Sequence, residues 1–214
     1  MQVAFVTYHK FPDLYEDDQL IQQYLVQKGI DVIPVCWDDE TVKWEQFHCI
    51  ILRSMWDYFE RPIEFDNWLD KLAALNCKVL NPVSVVKWNQ NKNYFDDFSK
   101  KGILLPAYII CKQKENHSLK QILQNNNWSK AVVKPAIPGG AYNTWTINIG
   151  TVENDETRFT ELVQQGDVIV QKFVEEIVTK GEFSLIYFNK KFSHAICKKC
   201  KARRFQSTAA IWRN

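Results

Sequence analysis

A lysine at the end of an apolar strand, with a glycine pair just beyond it, is the part of the sequence best suited to chemistry. Residues 131–144 read AVVKPAIPGGAYNT, so Lys134 closes the apolar run and Gly139 and Gly140 follow. A lysine on a rigid strand places a point charge against phosphate oxygens, and glycines let the backbone approach a ligand closely. The pattern predicts a polyphosphate site, although a surface lysine beside an ordinary Pro-Gly turn would give the same letters.

A second segment downstream could complete a nucleotide site. Residues 167–176 read DVIVQKFVEE, which predicts a buried strand that runs into an extended linker with two acids. The main chain of such a linker offers the donor and acceptor that the adenine edge needs, and carboxylates accept from ribose hydroxyls. The candidate nucleotide contacts here are Gln171, Lys172, Phe173, Val174, Glu175 and Glu176. Residues 181–196 then alternate as two strands about an Asn-Lys-Lys turn, so the two segments predict layers that can close on ATP.

A third group of chemistry-bearing residues follows an apolar strand near the start of the chain. Arg53, Trp56, Asp57 and Tyr58 supply a cation, two aromatic walls and a carboxylate, which suit a small zwitterion such as an amino acid. The alternative is an ion pair between Arg53 and Asp57, with Trp56 in the core. The nearby acids are interpreted mainly as caps and helix-dipole partners, and they are Asp13, Glu16, Asp17 and Asp18.

The elements that must position these residues alternate as strand and helix. The pattern predicts strands over residues 2–8, 30–36, 47–52 and 78–80 and helices over residues 17–28 and 63–75. Residues 17–28 carry Leu20, Ile21, Tyr24 and Leu25 on one face. This alternation indicates an open parallel sheet, whose ligands collect at the carboxyl ends of strands. Residues 8–13 and 53–58 are therefore expected around one cleft. Further on, a helix ending near residues 100–102 and a strand over residues 103–110 are predicted.

Composition is that of an ordinary globular protein, with 46% hydrophobic and 24% charged residues among 214. No apolar run approaches the roughly 18 residues of a membrane span, and no basic region precedes the first strand. Six scattered cysteines indicate reduced thiols, and we expect a cytoplasmic protein. Cys197 and Cys200 have C-x-x-C spacing without the second pair that zinc would need, and the four histidines show no ligand spacing. No metal ligands are predicted.

Several motifs, in order and spacing, resemble the ATP-grasp superfamily. They are PDLYEDD (residues 12–18), ILRSMWDYFERPIEFDNWL (51–69), LNPVSVVKWNQNKNYF (80–95), VVKPA, VQKFVEE and GEFS. Within that superfamily the chain is similar to the glutathione-synthetase-like branch that includes the cycloserine biosynthesis ligase. The resemblance runs from Met1 to about Ala202.

The resemblance implies a fold, an activity and further site residues. The fold class is α/β, with a Rossmann-like (pre-ATP-grasp) open parallel sheet over residues 1–82 and an incomplete α+β ATP-grasp domain over residues 83–202, whose lid covers about 103–175. Members join a small carboxylate to an amine through an acyl phosphate made from ATP. Lys92 becomes the first ATP lysine and Lys134 the second, with Lys198 a further contact. A homodimer is compatible with the family, and no nucleic-acid or membrane partner is expected.

The carboxyl-terminal segment departs from the family. Residues 198–214 hold six basic residues and no acid, and their stacking aromatics are limited to Phe205 and Trp212, which does not favour nucleic-acid binding. Codons for residues 203–214, read one base out of frame, can spell GDFRVQ, a run typical of this branch, so we hypothesise a frameshifted tail. The Mg²⁺ ligands of the family would lie beyond it, and the arginine of the GDFR run would be lost. Little or no ligase activity is then expected of the 214-residue product.

Two other classes of function remain as alternatives. One is a non-catalytic protein that binds an amino acid or a nucleotide, or a gene remnant without activity. The other is a Rossmann oxidoreductase, which is disfavoured because the first strand is not followed by G-x-G-x-x-G.

Overall fold

The computed structural model describes residues 1–199 and divides between Tyr94 and Phe95 into two compact units. Within residues 1–199, no helix combines the length and apolar character needed to cross a bilayer. The proposed frameshift concerns residues 203–214, which lie outside the described residues, as does Cys200 of the C-x-x-C pair.

The first unit is built on the predicted parallel sheet. Its strands pair in the order β2-β1-β3-β4, all parallel. Their bounds are β1 Gln2–Thr7, β2 Asp31–Cys36, β3 Cys49–Leu52 and β4 Val79–Leu80. The helices are α1 Glu16–Gln27, α2 Pro62–Ala74 and α3 Val83–Gln90, with a short 3₁₀ turn at Trp44–Gln46. Each of the six elements predicted over residues 2–80 is confirmed, with ends within two residues of the prediction.

Aromatic packing holds α2 on the sheet. The helix buries Phe65, Trp68, Leu69 and Leu72, which recur at the i, i+3, i+4, i+7 spacing of one helical face. Trp68 meets the rings of Trp37 and Trp44 at centroid distances of 6.0 and 5.4 Å. Burying side chains of this size contributes about 1.5–3 kcal/mol each, so this layer fixes the loops at the carboxyl end of the sheet.

Helix α1 turns its apolar face away from the sheet. Leu20 and Tyr24 are 65% and 59% exposed, Ile21 is also exposed, and Leu25 alone of the four apolar residues is half-buried. The one fully buried residue of α1 is Asp18. Polar contacts therefore orient this helix, rather than the apolar periodicity by which the sequence predicted it.

The second unit holds an antiparallel sheet in the order β5-β8-β6-β7. Its strands are β5 Tyr108–Cys111, β6 Lys130–Pro135, β7 Trp145–Asn148 and β8 Val168–Lys172. Its helices are α4 Tyr94–Lys100, α5 Leu119–Asn125, α6 Glu156–Gln165 and α7 Glu176–Thr179, with a 3₁₀ turn at Val152–Asp155. The strand predicted over residues 103–110 begins only at Tyr108. The α/β fold class is confirmed, while β7, α6 and α7 were not predicted. The linker predicted to be extended through its two acids turns helical at Glu175, and Glu176 begins α7.

A two-stranded hairpin ends the described chain. It joins β9 (Glu182–Phe188) to β10 (Lys191–Lys198) through Asn189 and Lys190, whose φ angles of +48° and +64° are those of a tight hairpin turn. Large apolar side chains on the hairpin are exposed, among them Phe183, Leu185, Tyr187, Phe192 and Ile196. Neither outer edge of this sheet is paired within residues 1–199. The predicted pair of strands is confirmed, and its edges are open to further pairing.

The cysteines differ sharply in accessibility. Cys49 and Cys111 are buried, Cys36 and Cys77 are half-buried, and Cys197 is exposed, all as free thiols. Burial, with smaller contributions from Glu115 and Asp167, raises the pKa of the Cys111 thiol to about 12. A thiol with so high a pKa is inert, because the thiolate is the nucleophile.

We therefore expect a thiol reagent at pH 8 to label Cys197 within the first minutes and to leave Cys111 unmodified until the protein unfolds. Peptide mass spectrometry after timed labelling measures this order directly. The pKa of Cys111 is higher in the folded protein than its unfolded value near 9. The protonated, buried thiol therefore contributes fully to the free energy of unfolding below pH 9, and this contribution is lost as the pH rises towards 12. Early labelling of Cys111 in the folded protein would contradict the buried placement.

Candidate functional site

The outer face of the β6–β8 sheet brings predicted nucleotide residues together in the second unit. Alternation along β6 buries Ala131 and Val133 and turns Lys134 to the opposite face. The Nζ of Lys134 donates to Oε1 of Gln171 at 2.7 Å and lies 5.5 Å from the ring centroid of Phe95. The lysine and the glutamine, predicted from separate motifs, are thus neighbours on adjacent strands.

The glycine loop follows directly after Lys134's strand. Gly140 has φ +50°, and Ala141 and Asn143 are also left-handed at +62° and +46°. The amide of Tyr142 donates to the carbonyl of Gly139 at 2.7 Å, which closes the turn. A Cβ added at Gly140 would meet no atom within 4 Å, so space is left open beside this backbone. A loop of this kind can approach a ligand with its main chain.

The linker after β8 has one open amide. The Lys172 amide donates to the Ala107 carbonyl at 2.8 Å, and that of Phe173 donates to the Lys130 carbonyl at 3.1 Å. The Val174 amide has no hydrogen-bond partner within residues 1–199, although its carbonyl accepts from Ile177. Of the three amides considered for adenine recognition, Val174 is therefore the available donor.

The acids of the linker are both exposed. Glu175 immediately precedes α7, and Glu176 begins it. Oε1 of Glu175 lies 3.6 Å from the Nζ of Lys130, while the same Nζ stands 3.6 Å from the centroid of the Phe173 ring. Lys130 was not among the predicted site residues. Lys130 and Lys134 are four positions apart on one strand, so both side chains lie on the same face of the sheet. This spacing could have identified Lys130 from the sequence.

The two remaining predicted ATP lysines lie elsewhere on the chain. Lys92 belongs to the first unit, in the turn after α3, where its Nζ donates to the hydroxyl of Tyr94 at 3.4 Å. Lys198 is exposed at the end of β10. Their contact with a nucleotide is a prediction from the resemblance.

In the first unit, Arg53 is anchored by a buried acid. Its Nε donates to Oδ1 of Asp18 at 2.7 Å, and the hydroxyl of Ser54 donates to Oδ2 at 2.5 Å. Asp18 is only 3% exposed, whereas the Arg53 side chain is 34% exposed. The considered ion pair between Arg53 and Asp57 is wrong, because Asp18 from α1 takes this role. Asp18 is structural, as was inferred for the acidic run.

Trp56 lies in a group of rings that we call the aromatic cluster, made of Tyr8, Phe11, Tyr15 and Trp56. Ring centroids of Trp56 lie 5.0 Å from Tyr15, 5.6 Å from Phe11 and 6.4 Å from Tyr8. Trp56 remains 42% exposed and is therefore not a core residue. The loops after β1 and β3 meet here, as the sequence predicted, and Tyr15 is an additional member.

Asp57 is buried, and both of its carboxylate oxygens accept hydrogen bonds. Oδ1 accepts from Nε1 of Trp37 at 2.9 Å, and Oδ2 accepts from Nη2 of Arg61 at 2.5 Å. Arg61 also binds Asp38 at 2.8 Å. Burial disfavours the guanidinium charge, but the hydrogen bonds to Asp57 and Asp38 outweigh it and raise the pKa of Arg61. The side chain of Asp57 thus ties the loop after β3 to neighbouring segments.

Tyr58 lies in the loop after β3, and Tyr8 directly follows β1. Tyr58 is half-buried, with its ring centroid 5.6 Å from that of Phe65, and burial raises its pKa. Burial also raises the pKa of Tyr8, with Asp57 and Glu60 adding to it. Both phenols therefore stay protonated and can act as hydrogen-bond donors at neutral pH.

One group of possible metal ligands exists within residues 1–199. Ligand atoms of His9, Asp38 and Asp57 lie within 4.8 Å of one another. Arg61 already pairs with both of these acids, so a cation is built into the cluster. The group is an ion-pair network, and these residues do not fit a Mg²⁺ site.

Comparisons with known proteins agree with this architecture. Residues 3–81 match the family described as the N-terminal domain of D-cycloserine synthetase DcsG. The cycloserine biosynthesis protein DcsG of Streptomyces lavendulae is 27% identical over 169 residues, covering 77% of this chain and 56% of that protein. The chain therefore matches little more than half the length of this curated relative.

Solved structures share the fold. A crystal structure of D-cycloserine synthetase DcsG superposes with a TM-score of 0.84 at 23% identity, over 93% of this chain and 68% of that one. D-alanine–D-alanine ligase from Bacillus anthracis, complexed with ATP, gives a TM-score of 0.61 at 15% identity, over 96% and 68% of the two chains. The described chain thus has the ATP-grasp type of fold that the motifs predicted.

Proposed function

Since residues 3–81 match the N-terminal domain family of D-cycloserine synthetase and the chain has an ATP-grasp fold, we propose that it binds ATP as part of a carboxylate–amine ligase. The observation that supports this most is the outer face of the second unit's sheet. Lys134 and the glycine loop lie there on and after β6, and Gln171 lies beside them on β8, the adjacent strand that leads to the open Val174 amide.

In the proposed complex, cations and main-chain groups hold the phosphates. Lys134 supplies the charge, and the backbone at Gly139 and Gly140 approaches the phosphate oxygens. Gln171 supports this role by holding the ammonium of Lys134 in place at 2.7 Å. Lys92 and Lys198 are proposed as further phosphate contacts from the family resemblance.

The linker from Lys172 to Glu176 is proposed to read the base and the ribose. The Val174 amide donates to a ring nitrogen of adenine, and a carbonyl of the linker accepts from the exocyclic amine. Phe173 adds an apolar wall, and the exposed carboxylates of Glu175 and Glu176 are within the segment that would meet ribose hydroxyls.

In the first unit, Arg53 and Trp56 are proposed to bind a small substrate with carboxylate or amine groups. Asp18 occupies Nε and Nη2 of Arg53, which leaves Nη1 without a partner among the described residues. The half-exposed Trp56 supplies an apolar surface beside it. Asp57 and Tyr58 are proposed to support this site, because Asp57 is already bound to Trp37 and Arg61.

For the 214-residue polypeptide we propose nucleotide binding with little ligation. The family resemblance implies that Mg²⁺ accompanies ATP, and within residues 1–199 no group of three fitting ligands lies near Lys134. The alternative is a non-catalytic protein that binds an amino acid or a nucleotide, or a gene remnant without activity. Titration with ATP separates the alternatives that require nucleotide binding from those that do not. The five cysteines within residues 1–199 are free thiols, which fits a reducing compartment, so a cytoplasmic location is proposed as well.

Calorimetric titration of the full chain with ATP tests the proposal. We expect saturable ATP binding that is at least about tenfold tighter than GTP binding, because guanine presents the opposite donor and acceptor at its edge. Release of ADP in the presence of mixed amino acids is expected to stay near background.

Far-UV circular dichroism on the same sample supplies the control for folding. If folded protein gives no heat with ATP, the nucleotide proposal fails. Equal binding of ATP and GTP would remove the assigned role of the Val174 amide.

A further inference from the structure

Helix α1 presents an exposed surface that combines apolar residues with a charge at each end. We call it the α1 face, made of Asp17, Leu20, Ile21, Tyr24 and Lys28. At 100° per residue these five positions fall within one third of the helix circumference. Leu20 is 65% exposed and Tyr24 59%, and the Nζ of Lys28 lies 5.5 Å from the Tyr24 ring centroid. The last contact shows that the basic end and the aromatic ring share one side.

The orientation of α1 is fixed by contacts on another side of the helix. Asp18 binds Arg53 and Ser54, Nε2 of Gln22 donates to the carbonyl of Val32 at 2.9 Å, and Leu25 packs against the small cluster around Val3. Rotating α1 to bury Leu20 would break the buried contacts of Asp18. The apolar face is therefore held in solvent by polar anchors, which is costly unless something covers it.

The charges on the α1 face are arranged for self-recognition. Asp17 and Lys28 stand eleven positions apart, or about 16 Å along the helix axis. In an antiparallel pair of α1 helices related by a two-fold axis, Asp17 of each copy meets Lys28 of the other. The same register sets Ile21 opposite Tyr24. Both macrodipoles then run antiparallel, which adds to the attraction.

We propose that the α1 face docks against the α1 face of a second copy of this chain to form an antiparallel homodimer. Strand β2 is the edge strand beside α1, and Pro34 within it lacks an amide donor. Sheet extension across that edge is thus disfavoured, and helix pairing is the available geometry. A contact of this size is small, so the dimer is expected to be in rapid exchange with a dissociation constant of about 1–100 µM.

Sedimentation equilibrium of the full chain between 1 and 200 µM tests the proposal. The wild type is expected to show a monomer–dimer equilibrium, and Tyr24→Glu is expected to weaken it at least tenfold. Asp17→Lys and Lys28→Asp are each expected to weaken it about tenfold, because like charges then face each other. The double variant Asp17→Lys/Lys28→Asp restores opposite charges and is expected to recover association.

Controls separate this dimer from other association. Lys71→Asp, at an exposed position of α2, makes the same change in net charge as Lys28→Asp and is expected to leave the equilibrium unchanged. Leu185→Glu reports on the exposed hairpin and is also expected to have no effect on the dimer. A monomeric wild type, failure of the double variant to recover dimer, or a dimer lost in Leu185→Glu and kept in Tyr24→Glu would each overturn the proposal. Circular dichroism of every variant identifies those that lose the fold. The double variant has an unfavourable charge at both ends of α1, and it must still associate if the pairing of charges between copies is what matters.

Discussion

Lys134→Ala is expected to weaken ATP binding by about 10- to 150-fold. Removing a hydrogen bond to a charged group costs about 1.5–3 kcal/mol, and every 1.4 kcal/mol is a factor of ten in affinity. Lys134 lies on a strand whose register with β8 is fixed by the pairing of Val132 with Gln171. Oε1 of Gln171 already holds the ammonium of Lys134 in place, so binding a phosphate costs little further side-chain entropy. Titration calorimetry with ATP measures the loss.

Lys120→Ala is the matched control for this variant. Lys120 belongs to the same unit and pairs with Glu153 at 2.7 Å on the exposed surface, away from β6. We expect its ATP affinity to equal that of the wild type. If Lys134→Ala and Lys120→Ala bind ATP equally well, the phosphate site has been assigned to the wrong lysine, and Lys130 on the same sheet face becomes the next residue to replace.

The Rossmann-like sheet could be predicted because its elements carry strong periodic signals. Strand β1 is buried along five consecutive positions, and α2 repeats apolar residues at helical spacing. Helix α6 carries a similar signal, since Phe159, Leu162 and Val163 recur at i, i+3 and i+4, and it was overlooked beside the lysine and linker motifs. Strand β7 has only four residues, too few for a reliable period.

The side-chain partners were harder to foresee than the elements. Arg53 was considered with Asp57, four positions away, but its partner Asp18 lies 35 positions distant on α1. Sequence proximity favoured the local pair, whereas the parallel sheet sets the end of β3 beside the start of α1. The same long-range contact decided the orientation of α1, because the buried carboxylate outweighs the apolar face of Leu20 and Tyr24.

The nucleotide residues were found more readily because their geometry is local to strands. Lys134 and Gln171 come from motifs on adjacent strands, and alternation alone predicts which side each occupies. The hydrogen bonds from the Lys172 and Phe173 amides to the carbonyls of Ala107 and Lys130 could not be predicted from the sequence. It depends on which strands flank β8, and that order is a property of the whole sheet.

Asp57→Ala is expected to destabilise the first unit, Met1–Tyr94, by about 3 kcal/mol, or roughly 12–24 °C in the melting temperature of that unit. The change leaves the buried Nε1 of Trp37 without an acceptor and removes one of the three acids bound by Arg61, the others being Asp38 and Glu64. Asp57→Asn keeps an oxygen for Trp37 and is expected to lose about half as much. Thermal unfolding followed by tryptophan fluorescence gives both values.

Asp39→Ala is the control, because Asp39 is exposed and, among residues 1–199, its side chain bonds only to nearby Thr41. The melting temperature of this variant is expected to match that of the wild type. This comparison separates two roles for Asp57. A residue that ties loops together lowers stability when it is removed, whereas a direct substrate contact lowers affinity and leaves stability intact. Wild-type melting of Asp57→Ala would therefore return Asp57 to the list of substrate contacts, beside Arg53 and Trp56.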